Sequence, residues 1–264
     1  MTINEYIPFL SEIKDVIQHT EVEYTFRMAF KGEVKPGQFF EVSIPKYGEA
    51  PISVSGIGEG YVDLTIRKVG RVTNEIFRNY KGDKLFLRGP YGNGFNMTNY
   101  QGKELIVVAG GTGLSPVRGV VDYFASQPEQ STGFTLIAGF KSPQDVLFKD
   151  DLESWKQSAQ IILTVDQAEA GYEGHVGLVT KFIPNLEIKE LEHVQVIVVG
   201  PPMMMHFTVL EFLKRGVAEE NIWISQERKM CCGIGKCGHC KIDDTYICLE
   251  GPVFNYTKGK YLID

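Results

Sequence analysis

A chain of 264 residues with 43% hydrophobic content is long enough for two domains, each with its own buried core, which excludes an intrinsically disordered chain. Lys and Arg number 27 against 33 Asp and Glu, a formal net charge of −6. With no basic stripe of the kind a phosphate backbone requires, nucleic acid is excluded as a partner. No run approaches the ~20 apolar residues that cross a bilayer, and Met1–Leu10 has neither a basic leader nor a long apolar stretch. A soluble, cytoplasmic protein with no membrane partner is expected.

From about Tyr6 to Phe95 the chain reads as short strands, Tyr24–Phe30, Phe39–Ile44, Tyr61–Arg67 and Lys84–Arg88, separated by Gly and Pro turns. This pattern predicts a small antiparallel barrel. Pro36-Gly37 suits a type II turn, and Pro45 ends the strand that follows. One short helix is expected near Asn74–Tyr80. Beyond Gly102 the pattern changes: Leu105–Ala109, Phe134–Gly139, Ile161–Val165 and Val194–Val199 are continuous apolar runs, as strands buried on both faces of a parallel sheet require. Pro116–Ala125 and Met203–Arg215 supply crossover helices, and Ile222–Ser225 a further strand. The fold class is therefore a β barrel plus α/β, with the barrel over 1–100, the parallel-sheet domain over 101–226 and a small C-terminal module over 227–264.

The run Leu105–Ala109 followed by Gly110-Gly-Thr-Gly-Leu-Ser-Pro116 is a strand, a glycine-rich turn and a helix start. Amides exposed by Gly111, Thr112 and Gly113 at a helix N-terminus form an anion site suited to a pyrophosphate. The same turn also serves tight strand-to-helix packing, and it departs from the G-x-G-x-x-G fingerprint because Leu114, Ser115 and Pro116 follow Gly113. A second turn, Val199-Gly200-Pro201-Pro202-Met203, ends another buried strand. Ligands gather at the carboxyl ends of parallel strands, so both turns are expected to line one crevice. Met203–Met205, at a helix start, reads as core packing rather than as a soft contact surface.

All five cysteines, Cys231, Cys232, Cys237, Cys240 and Cys248, fall in one C-terminal stretch. A secreted disulfide framework would spread them along the chain, so the clustering predicts metal ligation in a reducing compartment. Cys232, Cys237, Cys240 and Cys248 form a C-x4-C-x2-C-x7-C array, whose opening spacings match the plant-type [2Fe-2S] pattern. Gly233, Gly235 and Gly238 let backbone amides approach the sulfurs. A zinc knuckle has no need of this glycine density. Cys231 reads as a small residue packed under the loop, and His239 is not needed once four thiolates are present.

The order of these motifs resembles the ferredoxin-NADP reductase superfamily, and within it the electron-transfer subunits with a C-terminal [2Fe-2S] cluster. The likeness spans almost the whole chain. Pro51-Ile52-Ser53-Val54-Ser55 looks like the flavin strand, Gly70-Arg71-Val72-Thr73 the flavin pyrophosphate turn, Gly89–Phe95 the barrel's exit, and Gly111–Pro116 the nicotinamide turn. Glu227–Cys237 is similar to the cluster segment of dihydroorotate dehydrogenase electron-transfer subunits, and the chain as a whole resembles the B subunits of anaerobic sulfite reductases.

Three departures stand out. Ala50 occupies the place of the family's arginine, which leaves Arg67, Arg71 and the helix after Thr73 to meet phosphate charge. Val199 replaces the family's cysteine, and the seven-residue gap before Cys248 is shorter than in the dihydroorotate relatives. The resemblance implies FAD, NADH and a [2Fe-2S] cluster as cofactors, with Ser53 bonding the flavin ring and Gly200 and Pro201 completing the nicotinamide crevice. Gly139–Ser142 carries neither an acidic residue nor an Arg pair to choose between NADH and NADPH. It further implies a catalytic partner, a sirohaem sulfite reductase subunit, with a ferredoxin-like subunit as another. No catalytic side chain is expected, because the cofactors carry the chemistry. Two alternatives stay open: an electron-transfer subunit of a dihydroorotate dehydrogenase or hydrogenase, and a non-catalytic, zinc-bearing binding module.

Overall fold

The computed structural model describes residues 4–79 and 84–262. In its N-terminal part six strands, β1 (Phe9–Gln18), β2 (Glu23–Ala29), β3 (Phe39–Ile44), β4 (Gly48–Gly58), β5 (Tyr61–Arg67) and β6 (Lys84–Tyr91), form a closed barrel in the order β1-β2-β5-β4-β3-β6. Every pair is antiparallel, and β1 against β6, with Phe9 opposite Leu87, closes the ring. Strand period two explains the interior: Phe26 and Met28, Phe40 and Val42, Val62, Leu64 and Ile66, and Leu85 and Leu87 alternate inward. Each such side chain contributes about 1.5–3 kcal/mol on burial. Helix α1 (Arg71–Asn79) adds Ile76 to this core.

The same alternation puts Phe39 and Glu41 of β3, and Arg88 of β6, on the opposite face from the core. That face is expected to meet water, yet Phe39, Glu41 and Arg88 are all buried. The cysteine segment lies over Arg88, whose guanidinium donates to the Cys231 and Cys232 carbonyls, and the Tyr6 ring lies 4.6 Å from the same group. Residues up to Phe95 pack as one compact unit with Gln226–Val253, while Asn96–Ser225 pack with the chain from Phe254 onward. The segment 227–264, read from sequence as one module, is thus shared between two packing units.

The second unit carries β7 (Glu104–Gly110), α2 (Leu114–Ser126), β8 (Gly133–Phe140), α3 (Lys149–Trp155), β9 (Gln160–Val165), β10 (His175–Val176), β11 (Val194–Val199), α4 (Pro202–Lys214) and β12 (Ile222–Ser225). The cysteine segment holds only β13 (Lys241–Ile242), β14 (Thr245–Tyr246) and α5 (Ile247–Glu250), and is followed by β15 (Val253–Asn255) and α6 (Tyr256–Gly259). Seven strands align in the order β10-β9-β8-β7-β11-β12-β15. The pairs from β10 to β12 are parallel. Every residue of β7 and β11 is buried, as their apolar runs predict.

Besides the short strands β10, β13, β14 and β15, two strands of the barrel escaped the sequence pattern. β1, FLSEIKDVIQ, is mostly exposed or half-exposed and shows no clean alternation, and β4 contains Pro51 and three glycines, which ordinarily argue against a strand. The expected helix over Asn74–Tyr80 starts earlier, at Arg71; Tyr80 lies outside the described residues, as do Met1 to Ile3 of the N-terminal segment. Among the described residues no helix is long and apolar enough to cross a membrane.

Candidate functional site

The cysteine loop is built on backbone amides. Cys232, Cys240 and Cys248 are buried, Cys231 is half-buried and Cys237 is exposed. The N–H groups of Lys236 and Cys237 donate to Cys232 Sγ at 3.3 and 3.4 Å, Gly235 donates to Cys248 Sγ at 3.3 Å, and Cys248 donates to Cys240 Sγ at 3.4 Å. Burial works to raise the Cys232 thiol, but amides from Cys237, Lys236 and Ile234 outweigh it and hold it below the ordinary thiol range. Burial and the Cys240 thiol push Cys248 the other way. A side-chain hydrogen bond with Cys237 adds to the lowering at Cys232, and the Cys232 thiol joins that of Cys240 in raising Cys248. Among the described residues no three His, Cys, Asp or Glu side chains gather as a single-ion site.

Of the three glycines singled out, Gly235 offers its own amide to a sulfur. Gly233 acts differently. Its φ is +74°, and a Cβ there would lie 2.5 Å from the Tyr91 ring, so only glycine lets the loop lie on β6.

Beneath the loop lies Arg88, 1% exposed. Nε and Nη2 donate to the two Glu49 carboxylate oxygens at 3.0 and 2.6 Å. Nη1 donates to Tyr91 Oη at 3.0 Å and to the Cys232 carbonyl at 2.7 Å, and Nη2 donates to the Cys231 carbonyl at 2.6 Å. All five guanidinium donors are thereby used. Cys231 thus enters the site through its carbonyl. Glu41, opposite Arg88 in the β3–β6 register, is fully buried and neither carboxylate oxygen has a hydrogen bond among the described residues. Burial pushes its carboxyl up to about 8, with Glu49 and Cys232 adding to the rise and Arg88 opposing it. Arg88, Glu41 and Glu49 were not singled out from the sequence. The available signal was an Arg and a Glu on matching outward positions of two strands.

On β4, Pro51, Ile52 and Ser53 are half-exposed and Val54 is buried. Ser53 pairs in register with Phe39, and among the described residues its hydroxyl has no partner, which leaves it free to bond a ligand. Arg67 pairs with Glu23 at 3.0 Å, so much of its charge is already met. Thr73 Oγ1 accepts from the N–H groups of Val69 and Gly70 at 3.1 and 2.9 Å and so shapes the turn rather than reaching outward. Arg71 is exposed beside the Lys46 carbonyl, at the start of a helix with no acidic residue in its first turn. That terminus suits an anion.

In the second unit the strand order reverses between β7 and β11, the switch point at which open α/β sheets bind ligands. Both expected turns lie there. A Cβ on Gly113 would come within 2.6 Å of the Val199 carbonyl oxygen and 2.7 Å of Gly200 Cα, so the two turns touch, whereas space beside Gly111 is open. Pro201 is exposed and Thr112 half-exposed at the same rim. The methionine run divides: Met205 is buried, Met204 packs against Gly110 and Gly200, and Met203 is 64% exposed. One acid escaped the sequence reading: Asp145 accepts from Ser142 Oγ at 2.5 Å just beyond β8.

Comparisons with known proteins agree with this geometry. Residues 107–209 match the oxidoreductase NAD-binding domain, and residues 227–258 the iron-sulfur cluster binding domain of dihydroorotate dehydrogenase B. Sulfhydrogenase 1 subunit gamma of Pyrococcus furiosus is 35% identical over 96% of this chain and 92% of its own length. A probable dihydroorotate dehydrogenase B electron transfer subunit of the same organism is 33% identical over 90% and 85%. Among solved structures, an NADH-dependent reduced ferredoxin-NADP oxidoreductase superposes with a TM-score of 0.79 at 24% identity, covering 95% of this chain and 89% of that one. Barrel, switch-point sheet and cysteine loop define an oxidoreductase for FAD, a nicotinamide dinucleotide and an iron–sulfur cluster. The chain belongs to the electron-transfer subunits of the ferredoxin-NADP reductase-like superfamily, alongside those of dihydroorotate dehydrogenase B and the sulfhydrogenase gamma subunits.

Proposed function

We propose that this chain is the NADH-oxidising subunit of a larger enzyme, delivering single electrons to a catalytic partner by way of a [2Fe-2S] cluster held by Cys232, Cys237, Cys240 and Cys248. Bound FAD supplies the conversion of a two-electron hydride into one-electron steps, and the cluster supplies their exit. The observation that carries the reading is the amide-lined cysteine loop, in which backbone N–H groups donate to the sulfurs of Cys232, Cys240 and Cys248. Hydrogen bonds to thiolate sulfurs are one of the levers by which a protein sets the potential of an iron–sulfur cluster.

The functional segments in this reading are 1–100 for FAD, 101–226 for NADH and 227–264 for the cluster. Pro51, Ile52, Ser53 and Val54 hold the flavin ring, with Ser53 Oγ as the hydrogen-bonding group. Gly70, Arg71 and the α1 amides meet the flavin phosphates, with Arg67 as a further cation and Thr73 shaping the turn. Gly111, Thr112, Gly113, Gly200 and Pro201 form the dinucleotide crevice, and Asp145 favours the free ribose hydroxyl of NADH over a 2′-phosphate. Five free thiols suit the reducing cytoplasm.

For the partner, the seven-residue gap before Cys248 favours the sirohaem subunit of an anaerobic sulfite reductase, with a ferredoxin-like subunit between or beside them. The relatives named above favour a second reading, since they are named for hydrogenase and dihydroorotate dehydrogenase rather than for sulfite reduction. Isolation of the native complex, with iron, sulfide and flavin analysis and assays for sulfide, hydrogen and orotate, tests both. A colourless protein containing zinc overturns the electron-transfer reading. A coloured complex that reduces protons, or oxidises dihydroorotate to orotate, and does not reduce sulfite overturns the sirohaem partner.

A further inference from the structure

The barrel spends a great deal on Arg88. Removing a guanidinium from water costs several kcal/mol unless every donor is met, and a well-packed apolar residue would fill the space at least as stably. The arginine is therefore not explained by packing alone. Its donors divide between two targets. Two go to Glu49 on β4, two residues before Pro51, and two go to the consecutive carbonyls of Cys231 and Cys232. The fifth goes to Tyr91, whose ring lies against Gly233. Holding both carbonyls fixes the peptide between Cys231 and Cys232, and with it the direction in which the Cys232 side chain leaves the backbone. Glu41, the other acid on this face, makes no hydrogen bond to Arg88.

We propose that Arg88 is a positioning residue for the cluster: it clamps the cysteine loop to the strand that carries the flavin residues, and its buried charge raises the cluster's reduction potential. This rests on the cluster reading above. Adding an electron adds negative charge, and a fixed cation nearby stabilises the reduced form, whereas Glu49 opposes it. At an effective dielectric near 20, one unit charge at ~10 Å is worth on the order of tenfold in the reduced-to-oxidised ratio, or ~59 mV for one electron.

The test is an EPR-monitored redox titration of the full-length protein and three variants, with iron and sulfide measured on each. Arg88→Gln should lower the ratio of reduced to oxidised cluster about tenfold at a given potential. Glu49→Gln, which leaves the arginine's bonds to the loop in place, should move it in the opposite direction. Arg88→Lys keeps the charge but only three donors, so it should restore the potential while broadening the EPR line. Should Arg88→Gln fail to fold, the direction of the Glu49→Gln shift and the unchanged potential of Arg88→Lys decide, and a lowered potential in Arg88→Lys overturns the proposal. An unchanged potential in Arg88→Gln, or a downward shift in Glu49→Gln, overturns the proposal. A wild-type protein without iron and sulfide overturns the cluster reading and this proposal with it.

Discussion

Replacing Glu41 by Gln should remove a loss of stability that the wild type suffers as pH rises. The carboxyl is fully buried without a hydrogen bond, and burial lifts its pKa from an ordinary 4.5 to about 8. A folded-state pKa above the unfolded one means that the native state holds the proton more tightly. The corresponding stability is fully present below about pH 4.5 and is lost as pH rises towards about 8. A shift of about 3.5 units, from 4.5 to 8, at 1.36 kcal/mol per unit, bounds the loss at roughly 5 kcal/mol. Gln stays neutral throughout but buries an amide whose donors need partners, at a cost of about 1–3 kcal/mol. The variant should therefore be equal to or less stable than the wild type at pH 5 and more stable, by a few kcal/mol, at pH 8. Negative charge at the cluster would raise the Glu41 pKa further and keep the same sign. Chemical denaturation midpoints of both proteins at pH 5, 6.5 and 8 give the difference directly. A wild-type-to-variant difference that does not change with pH refutes the reasoning.

Cys231→Ala should keep the parent's iron and sulfide content while Cys237→Ala loses it, and equal loss in both refutes the ligand assignment. Ser53→Ala removes one hydrogen bond worth about 1 kcal/mol, so flavin affinity measured by fluorescence should fall several-fold; an unchanged affinity removes Ser53 from the flavin site. Gly113→Ala drives a Cβ to within 2.6 Å of the Val199 carbonyl, so it should cost about 1–3 kcal/mol of stability and raise the KM for NADH, while an unaltered KM separates this turn from the dinucleotide. Given NADH and sulfite, the isolated chain should make no sulfide, and sulfide production without a partner refutes the donor role.

The parts legible in the sequence are those whose physics is local. A glycine turn after an apolar strand, or four cysteines within 17 positions, from Cys232 to Cys248, carries its reading in its spacing, and Gly113 lies against the Val199–Gly200 turn while Cys248 joins the amide-lined loop. The β7 and β11 runs announce themselves because strands buried on both faces have no polar positions to interrupt them. Arg88, Glu41 and Glu49 were illegible for the opposite reason. Phe39-Phe-Glu-Val-Ser-Ile44 reads as a half-exposed strand with Glu41 on its wet side, and nothing near it in the chain says that this side is covered. The cover arrives from Cys231 and Cys232, more than 140 positions away from Arg88. Glu227–Cys237 gave its chemistry readily but not its packing, because which surface a loop lies on is a long-range property.

The distance along the chain between Arg88 and its carbonyl acceptors also sets a schedule. Synthesis proceeds from the N-terminus at about 5–20 residues per second, and Cys232 follows Arg88 by 144 positions. For roughly 7 to 29 s after β6 leaves the ribosome, the barrel carries a guanidinium and a carboxyl that are destined for burial but still open to water. Both groups are soluble while they wait, so a nascent barrel with Arg88 and Glu41 on its unfinished face resists sticking to its neighbours in a way that an apolar patch of the same size would not.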